Sequence, residues 1–276
     1  MAKCKLLIAV MVGAHFLLCS QVQANGLNSH NMNLLIDKLE HKVKMLEHKL
    51  GVQEDIEAIR KLMYTYTYYM DRALYDQALD LFSENVESCE VGGRGVYLGK
   101  EGCRTLWMDI FGPAYGGAEG KLKYGWMVEH FVTKLVVTVA EDRQSAKSRG
   151  HYFSFGGIFG YPQYASSQVG IYQLEYVKED DVWKISKFWL PMTTTGFNHT
   201  TWAENPSYSG CPSEAFPPDL PTTAYHPFPE VYVVPFHYPN PVTGEEIYQN
   251  GYTDPKQYWL GNWPGEWGQC GRQPEE

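Results

Sequence analysis

A block of helical periodicity from residue 55 to 111 is followed by three long β-type segments, Val128–Ala140, Ser148–Phe159 and Gln168–Val177. The last of these leads through Lys178–Asp181 into a further run, Val182–Leu190. This order constrains the fold more than any other feature of the chain. Helices first, then long strands joined by short connections, is the pattern of an α+β fold with an antiparallel sheet. The turn Glu179-Asp180-Asp181, between Tyr176 and Trp183, reads as a hairpin even without the favoured Asn-Gly pair.

Within the helical block Asp55 is placed to cap a helix carrying Ile56, Ile59, Leu62, Met63, Tyr66 and Met70 at helical spacing. Ala73–Phe82 continues it, a short strand is expected at Val86–Val91, and Gly92–Gly95 is a turn. Gly99–Phe111, with Leu106, Trp107 and Ile110, reads as a third helix, and residues 112–125 as a Gly-rich loop. Upstream, Ile36, Leu39, Val43, Leu46 and Leu50 repeat at intervals of 3 and 4 within residues 31–50, and Gly51 closes the seam. Such a heptad seam can join two copies of a chain or pack on its own domain. Both readings stay open, and residues 36–50 are the candidate surface for a homo-oligomer.

Residues 1–24 have the form of a secretory leader. Lys3 and Lys5 precede the apolar stretch Leu6–Cys19, and Val22-Gln23-Ala24 supplies a cleavage site. The apolar stretch is shorter than the roughly 20 residues a bilayer span requires. A secreted chain, free of the membrane after leader removal, is therefore expected. Without Lys3 and Lys5 the chain holds 21 basic against 32 acidic residues and no basic cluster, which argues against nucleic acid as a partner.

Export also shapes the reading of the cysteines. Cys89, Cys103, Cys211 and Cys270 follow the leader, and in an oxidising compartment they suggest two disulfides with three possible connectivities. The local choice is Cys89–Cys103 and Cys211–Cys270. Asn198-His199-Thr200 is a glycosylation sequon on the same route. Residues 203–276 hold 13 of the 16 prolines and many aromatics, so an extended arm pinned onto the domain is expected, with a short strand at Val231–Val234.

Asp55-Ile56-Glu57-Ala58-Ile59-Arg60-Lys61-Leu62, Tyr66 five residues before Asp71, Ala78-Leu79-Asp80-Leu81-Phe82 and Gly99-Lys100-Glu101-Gly102 occur in that order, followed by Glu129-His130-Phe131 and Val182-Trp183-Lys184-Ile185. In this arrangement residues 53–201 resemble the SnoaL-like family of the NTF2-like superfamily, which includes polyketide cyclases and scytalone dehydratase. The resemblance implies a cone: a strongly bent antiparallel sheet around a cavity, closed by N-terminal helices. It further implies a carboxylate and a histidine meeting in that cavity, here Asp71 and His130, with Tyr66 as a hydroxyl donor. The implied chemistry is a dehydration, cyclisation or isomerisation of a small hydrophobic carbonyl compound without cofactor or metal.

Tyr69, Trp107, Trp126, His151 and Tyr172 are candidate walls of the pocket. Departures are visible as well. Gly170 and Tyr172 stand where scytalone dehydratase has Ser and Asn, and Met70 stands where it has a tyrosine before the aspartate, so that particular dehydration is not expected. Strand phase raises a further question. Strict alternation groups His130 with Val128, Val132 and Lys134, whereas Phe131, Leu135 and Val137 form the more apolar face, and a β-bulge would reconcile the two. The same cone could also serve as a non-catalytic carrier, or the heptad helix and tail could make the functional contacts.

Overall fold

The computed structural model describes residues 29–114, 121–197, 202, 210–223 and 233–247. The proposed leader, the sequon at Asn198, Cys270 and part of the tail lie outside the described residues. The chain divides into two compact units, Met1–Gly51 and Val52–Glu276. Helix α1 runs from Ser29 to Met70. Gly51 therefore does not end a helix and Asp55 does not begin one. A glycine inside a helix costs only about 1 kcal/mol, which the neighbouring turns can carry.

In the second unit, Ile59, Met63, Tyr66 and Met70 form the buried stripe of α1, at the helical spacing read from the sequence. A short helix α2 (Tyr75–Leu79), strand β1 (Ser88–Val91) and strand β2 (Val96–Leu98) follow. Helix α3 (Gly99–Arg104) continues as a π-helical segment over Thr105–Phe111 and a final turn at Gly112–Ala114, where a single α-helix was expected. Four long strands come next: β3 (Trp126–Val139), β4 (Ser145–Ile158), β5 (Tyr161–Glu179) and β6 (Val182–Leu190), with the shorter β7 (Met192–Phe197) after them. No helix among the described residues is long and apolar enough to cross a membrane.

The seven strands form one curved, unclosed sheet in the order β2-β1-β6-β5-β4-β3. Strand β7 lies off that path, against β5. β5 pairs along one edge with β4, and along the other with β7 over Ser166–Gly170 and β6 over Gln173–Glu179. β1 runs parallel to β6, and the other strand pairings are antiparallel.

Curvature explains which side chains face inward. On β4 the buried positions are Ala146, Ser148, Gly150, Tyr152 and Ser154, while Phe153 and Phe155 are exposed. A concave face is crowded, so small residues take it. A Cβ on Gly156 would come within 2.8 Å of the Met127 carbonyl oxygen, and one on Gly170 within 2.7 Å of the Pro191 carbonyl oxygen. The outer aromatics Phe131, Phe153 and Phe155 pack against one another at centroid distances of 5.8 to 6.2 Å.

The core lies between α1, the α3 segment and the sheet. Tyr66 and Trp107 pack their rings against Phe188 at 5.1 and 5.3 Å, and Phe82 lies 5.7 Å from Trp107. Each such pair contributes about 0.5–1.5 kcal/mol beyond its burial. A disulfide joins Cys89 on β1 to Cys103 on α3, 14 residues apart. Closing a loop of that size is worth roughly 3 kcal/mol in the chain-entropy description.

The described parts of the tail are tied to the domain. Val96 donates to the Leu220 carbonyl at 2.7 Å and Leu98 to the Asp219 carboxylate at 2.8 Å, which covers the open edge of β2. Glu90, buried on β1, accepts bonds from the Thr222 hydroxyl and from both the backbone and the hydroxyl of Thr223. Burial pushes its carboxyl above the usual range, and these threonine bonds offset part of that rise. Farther along, Arg149 donates to the carbonyls of Val234 and Pro235 at 2.9 and 3.1 Å. Val233 and Val234 are not in a strand, contrary to expectation, and residues 231–232 lie outside the described residues. Pro235 follows at once and has no N–H to add to a ladder.

Candidate active site

Asp71 follows the last turn of α1. Its backbone N–H still bonds to the Thr67 carbonyl at 2.9 Å, and the chain then turns through Ala73, whose φ of 55° lies in the left-handed region. That conformation costs an alanine about 1–2 kcal/mol relative to glycine's free access to it. The Leu74 N–H closes the turn on the Tyr69 carbonyl at 2.9 Å. The turn directs the Asp71 side chain toward β3 rather than away from the domain.

There the Asp71 Oδ1 accepts two bonds from one residue, from the backbone N–H of His130 at 2.7 Å and from its Nδ1 at 2.8 Å. An ionised carboxylate can only accept, so this contact assigns the ring proton to Nδ1 and leaves Nε2 as the basic nitrogen. The side chains of His130 and Asp71 are 13% and 6% exposed. Arg72 does not pair with the Asp71 carboxylate. Its guanidinium donates to the Asp71 backbone carbonyl at 2.7 Å and to Glu129 at 3.0 Å, pinning the helix end to β3 on the far side of the pair.

The phase question on β3 has a local answer. The β3–β4 register shifts between Thr133 and Val136, and Lys134 has a φ of 54°. One extra residue at this bulge lets Val128, His130 and Val132 share the inner side with Leu135 and Val137.

His130 lines a cavity of about 610 Å³, within the range of small-molecule sites. Its walls include Tyr66, Met70, Trp126, Tyr152, Tyr172 and Leu190. Rings run inward from the imidazole: His130 to Tyr152 at 5.9 Å, Tyr152 to Tyr172 at 5.2 Å and Tyr172 to Tyr66 at 6.5 Å. Burial raises the hydroxyls of Tyr66 and Tyr172 well above the ordinary tyrosine value, so both are hydrogen-bond donors and not bases.

The wall candidates separate into two groups. Trp126 and Tyr172 line the cavity. Trp107 does not; it is fully buried in the aromatic core behind Tyr66. Tyr69 is half-buried against the outside of that core. His151 is exposed on the outer face of β4, because the bent sheet turns Tyr152 and not its neighbour inward.

Three cavity groups were missed from sequence: Tyr152, Ser154 and Gln168. The Tyr152 hydroxyl lies 2.6 Å from the Ser154 Oγ and donates to Gln168 Oε1 at 3.1 Å. For Tyr152 and Ser154 the signal was the alternation of small or polar residues with bulky aromatics along β4; Gln168, on β5, had none. Arg94 also reaches the cavity, with its guanidinium 4.6 Å from the centroid of the Phe111 ring. Gly210 of the tail completes that part of the wall; its φ of 89° favours glycine, and a Cβ there would displace the Arg94 guanidinium. Among the described residues no group of three or more His, Cys, Asp or Glu side chains is placed to hold a metal ion.

Residues 52–188 match the family described as the SnoaL-like domain. Similar solved structures include a candidate scytalone dehydratase from Novosphingobium aromaticivorans, at 18% identity, covering 56% of this chain and 93% of that one, with a TM-score of 0.44. LinA is similar at 19% identity, covering 56% and 93%, with a TM-score of 0.45. A type 2 hexachlorocyclohexane dehydrochlorinase is similar at 20% identity, covering 63% and 98%, with a TM-score of 0.43. No curated protein matches the chain in sequence. Residues 52–188 of this chain thus form a domain of the SnoaL-like family.

Proposed function

We propose that the domain is a cofactor-independent lyase or isomerase acting on a small hydrophobic carbonyl compound. The observation that carries this reading is the 2.8 Å contact between His130 Nδ1 and the Asp71 carboxylate at the wall of the 610 Å³ cavity. A carboxylate so placed fixes the imidazole tautomer and stabilises the imidazolium, which leaves Nε2 fit to act as a general base.

Nε2 takes a proton from the carbon next to the substrate carbonyl, and the C–H electron pair becomes an enolate. The Tyr66 hydroxyl donates to the enolate oxygen, directly or through a water. When the enolate collapses, a hydroxyl on the next carbon leaves with the proton that the imidazolium returns, and water is lost. Return of the proton to a different carbon gives an isomerisation instead. Asp71 and His130 are the proposed catalytic pair, and Tyr66, Trp126 and Tyr172 the proposed substrate contacts.

A second reading has its own support. The Tyr152 hydroxyl is already occupied by Ser154 and Gln168, which suits a carrier that encloses an apolar ligand without reacting with it. In either reading the chain is proposed to act outside the cell. The leader-like residues 1–24 support this, and a disulfide such as Cys89–Cys103 is characteristic of oxidising compartments.

One assay separates the two. A panel of small cyclic and aromatic ketones and β-hydroxy ketones is incubated with the protein in D₂O and followed by NMR for α-deuteration and elimination. Wild-type protein is expected to catalyse one or both, with His130→Gln reducing the rate by about 10²–10⁴-fold. Binding of panel members without exchange or elimination would establish the carrier reading and overturn the enzymatic one.

A further inference from the structure

We propose that residues 32–50 form a parallel, two-stranded coiled coil with a second copy of this chain. Met32, Leu39 and Leu46 occupy one set of seam positions on α1, and Ile36, Val43 and Leu50 the other. These six side chains are between 45% and 65% exposed. Nothing polar interrupts the six seam positions from Met32 to Leu50, and the segment is already helical. The nucleation cost that makes short free helices marginal is met by the buried turns of the same helix.

The flanking charges identify the occupant and its direction. Beside the seam, Glu40 and Glu47 hold the position that follows each leucine, and Lys42 and Lys49 hold the position that precedes Val43 and Leu50. In a parallel, in-register pair, a residue of the second kind faces the residue of the first kind five places later on its partner. Lys42 then meets Glu47, twice by symmetry. An antiparallel pair would instead set lysine against lysine and glutamate against glutamate. The surface is thus complementary to itself in one orientation. β-Branched Ile36 and Val43 with leucine at 39 and 46 favour two strands over three or four. This inference is independent of the acid–base chemistry, and each can fail without the other.

Sedimentation equilibrium of the full chain over a micromolar concentration series tests it. The expected result is twice the chain mass, in exchange with monomer. Lys42→Glu should weaken association about fivefold by placing glutamate against Glu47, and adding Glu47→Lys should restore it to within about twofold of the parent. Leu39→Lys with Leu46→Lys should abolish the dimer while leaving the thermal transition of the second unit in place. A monomer throughout the series, a trimeric or tetrameric mass, or a Lys42→Glu variant that associates like the parent would overturn the proposal.

Discussion

Two buried carboxylates on or just after helix α1 sit in contrasting environments, one held by cations and the other paired with a histidine. Asp55 lies among cations. Arg143 Nε bonds to its Oδ2 at 2.6 Å, and Lys178 and the Trp183 indole bond to its Oδ1 at 2.7 and 2.9 Å. Burial works to raise its carboxyl pKa, but these donors outweigh burial and hold it at about 2. Asp71, 16 residues on and just as buried, accepts from His130 at the wall of the cavity. One carboxylate is saturated and ties α1 to the β3–β4 turn and to β5 and β6. The other engages a single histidine, whose second ring nitrogen is the proposed base.

The sharpest way to break the comparison is to remove each carboxylate in turn. Asp55→Ala strands Arg143 and Lys178 beside an apolar site and is expected to cost about 3–5 kcal/mol in urea unfolding. Asp71→Asn keeps an oxygen for the His130 backbone N–H and should cost only about 1 kcal/mol in the same experiment, yet lower turnover at least 100-fold. Equal stability losses in the two variants would erase the distinction.

Acid sharpens it further. Asp55 has a folded pKa of about 2, below its unfolded value, so its stabilising contribution is complete above about pH 4 and is lost as the pH falls through 2. Roughly 2 kcal/mol of pH-dependent stability should disappear across that window in urea midpoints, and Asp55→Asn should remove that part of the slope.

A smaller effect is expected at the bulge that sets His130 inward. Lys134→Gly relieves a left-handed backbone and should raise stability by about 0.5–1 kcal/mol, with the cavity unchanged. A loss of stability there would mean that the lysine side chain, and not the extra backbone residue, supports the bulge.

These contrasts also mark what the sequence could carry. The apolar stripe of α1, the long strands and the pairing of Cys89 with Cys103 follow from spacing and proximity along the chain, and were legible. The partners of Asp55 were not, since Arg143 and Lys178 lie 88 and 123 residues away and no local pattern links them. Asp55 looked like a helix cap because a short polar residue before an apolar stripe has that appearance whether or not the helix began earlier. On β4, alternation was visible but its sense was not. The bulky residues His151, Phe153 and Phe155 suggest an inward face until the curvature is known, and then Tyr152 and Ser154 are the ones that fit. The bulge at Lys134 needs a left-handed lysine, which composition does not announce.

The orientation of the His130 ring is the most direct test of the site. Long-range ¹⁵N–¹H NMR of the neutral imidazole should find the proton on Nδ1 and Nε2 bare in the parent chain, and a mixture of tautomers in Asp71→Asn. A ring protonated on Nε2 in the parent, or a tautomer ratio indifferent to Asp71→Asn, would contradict the pairing on which the proposed chemistry rests.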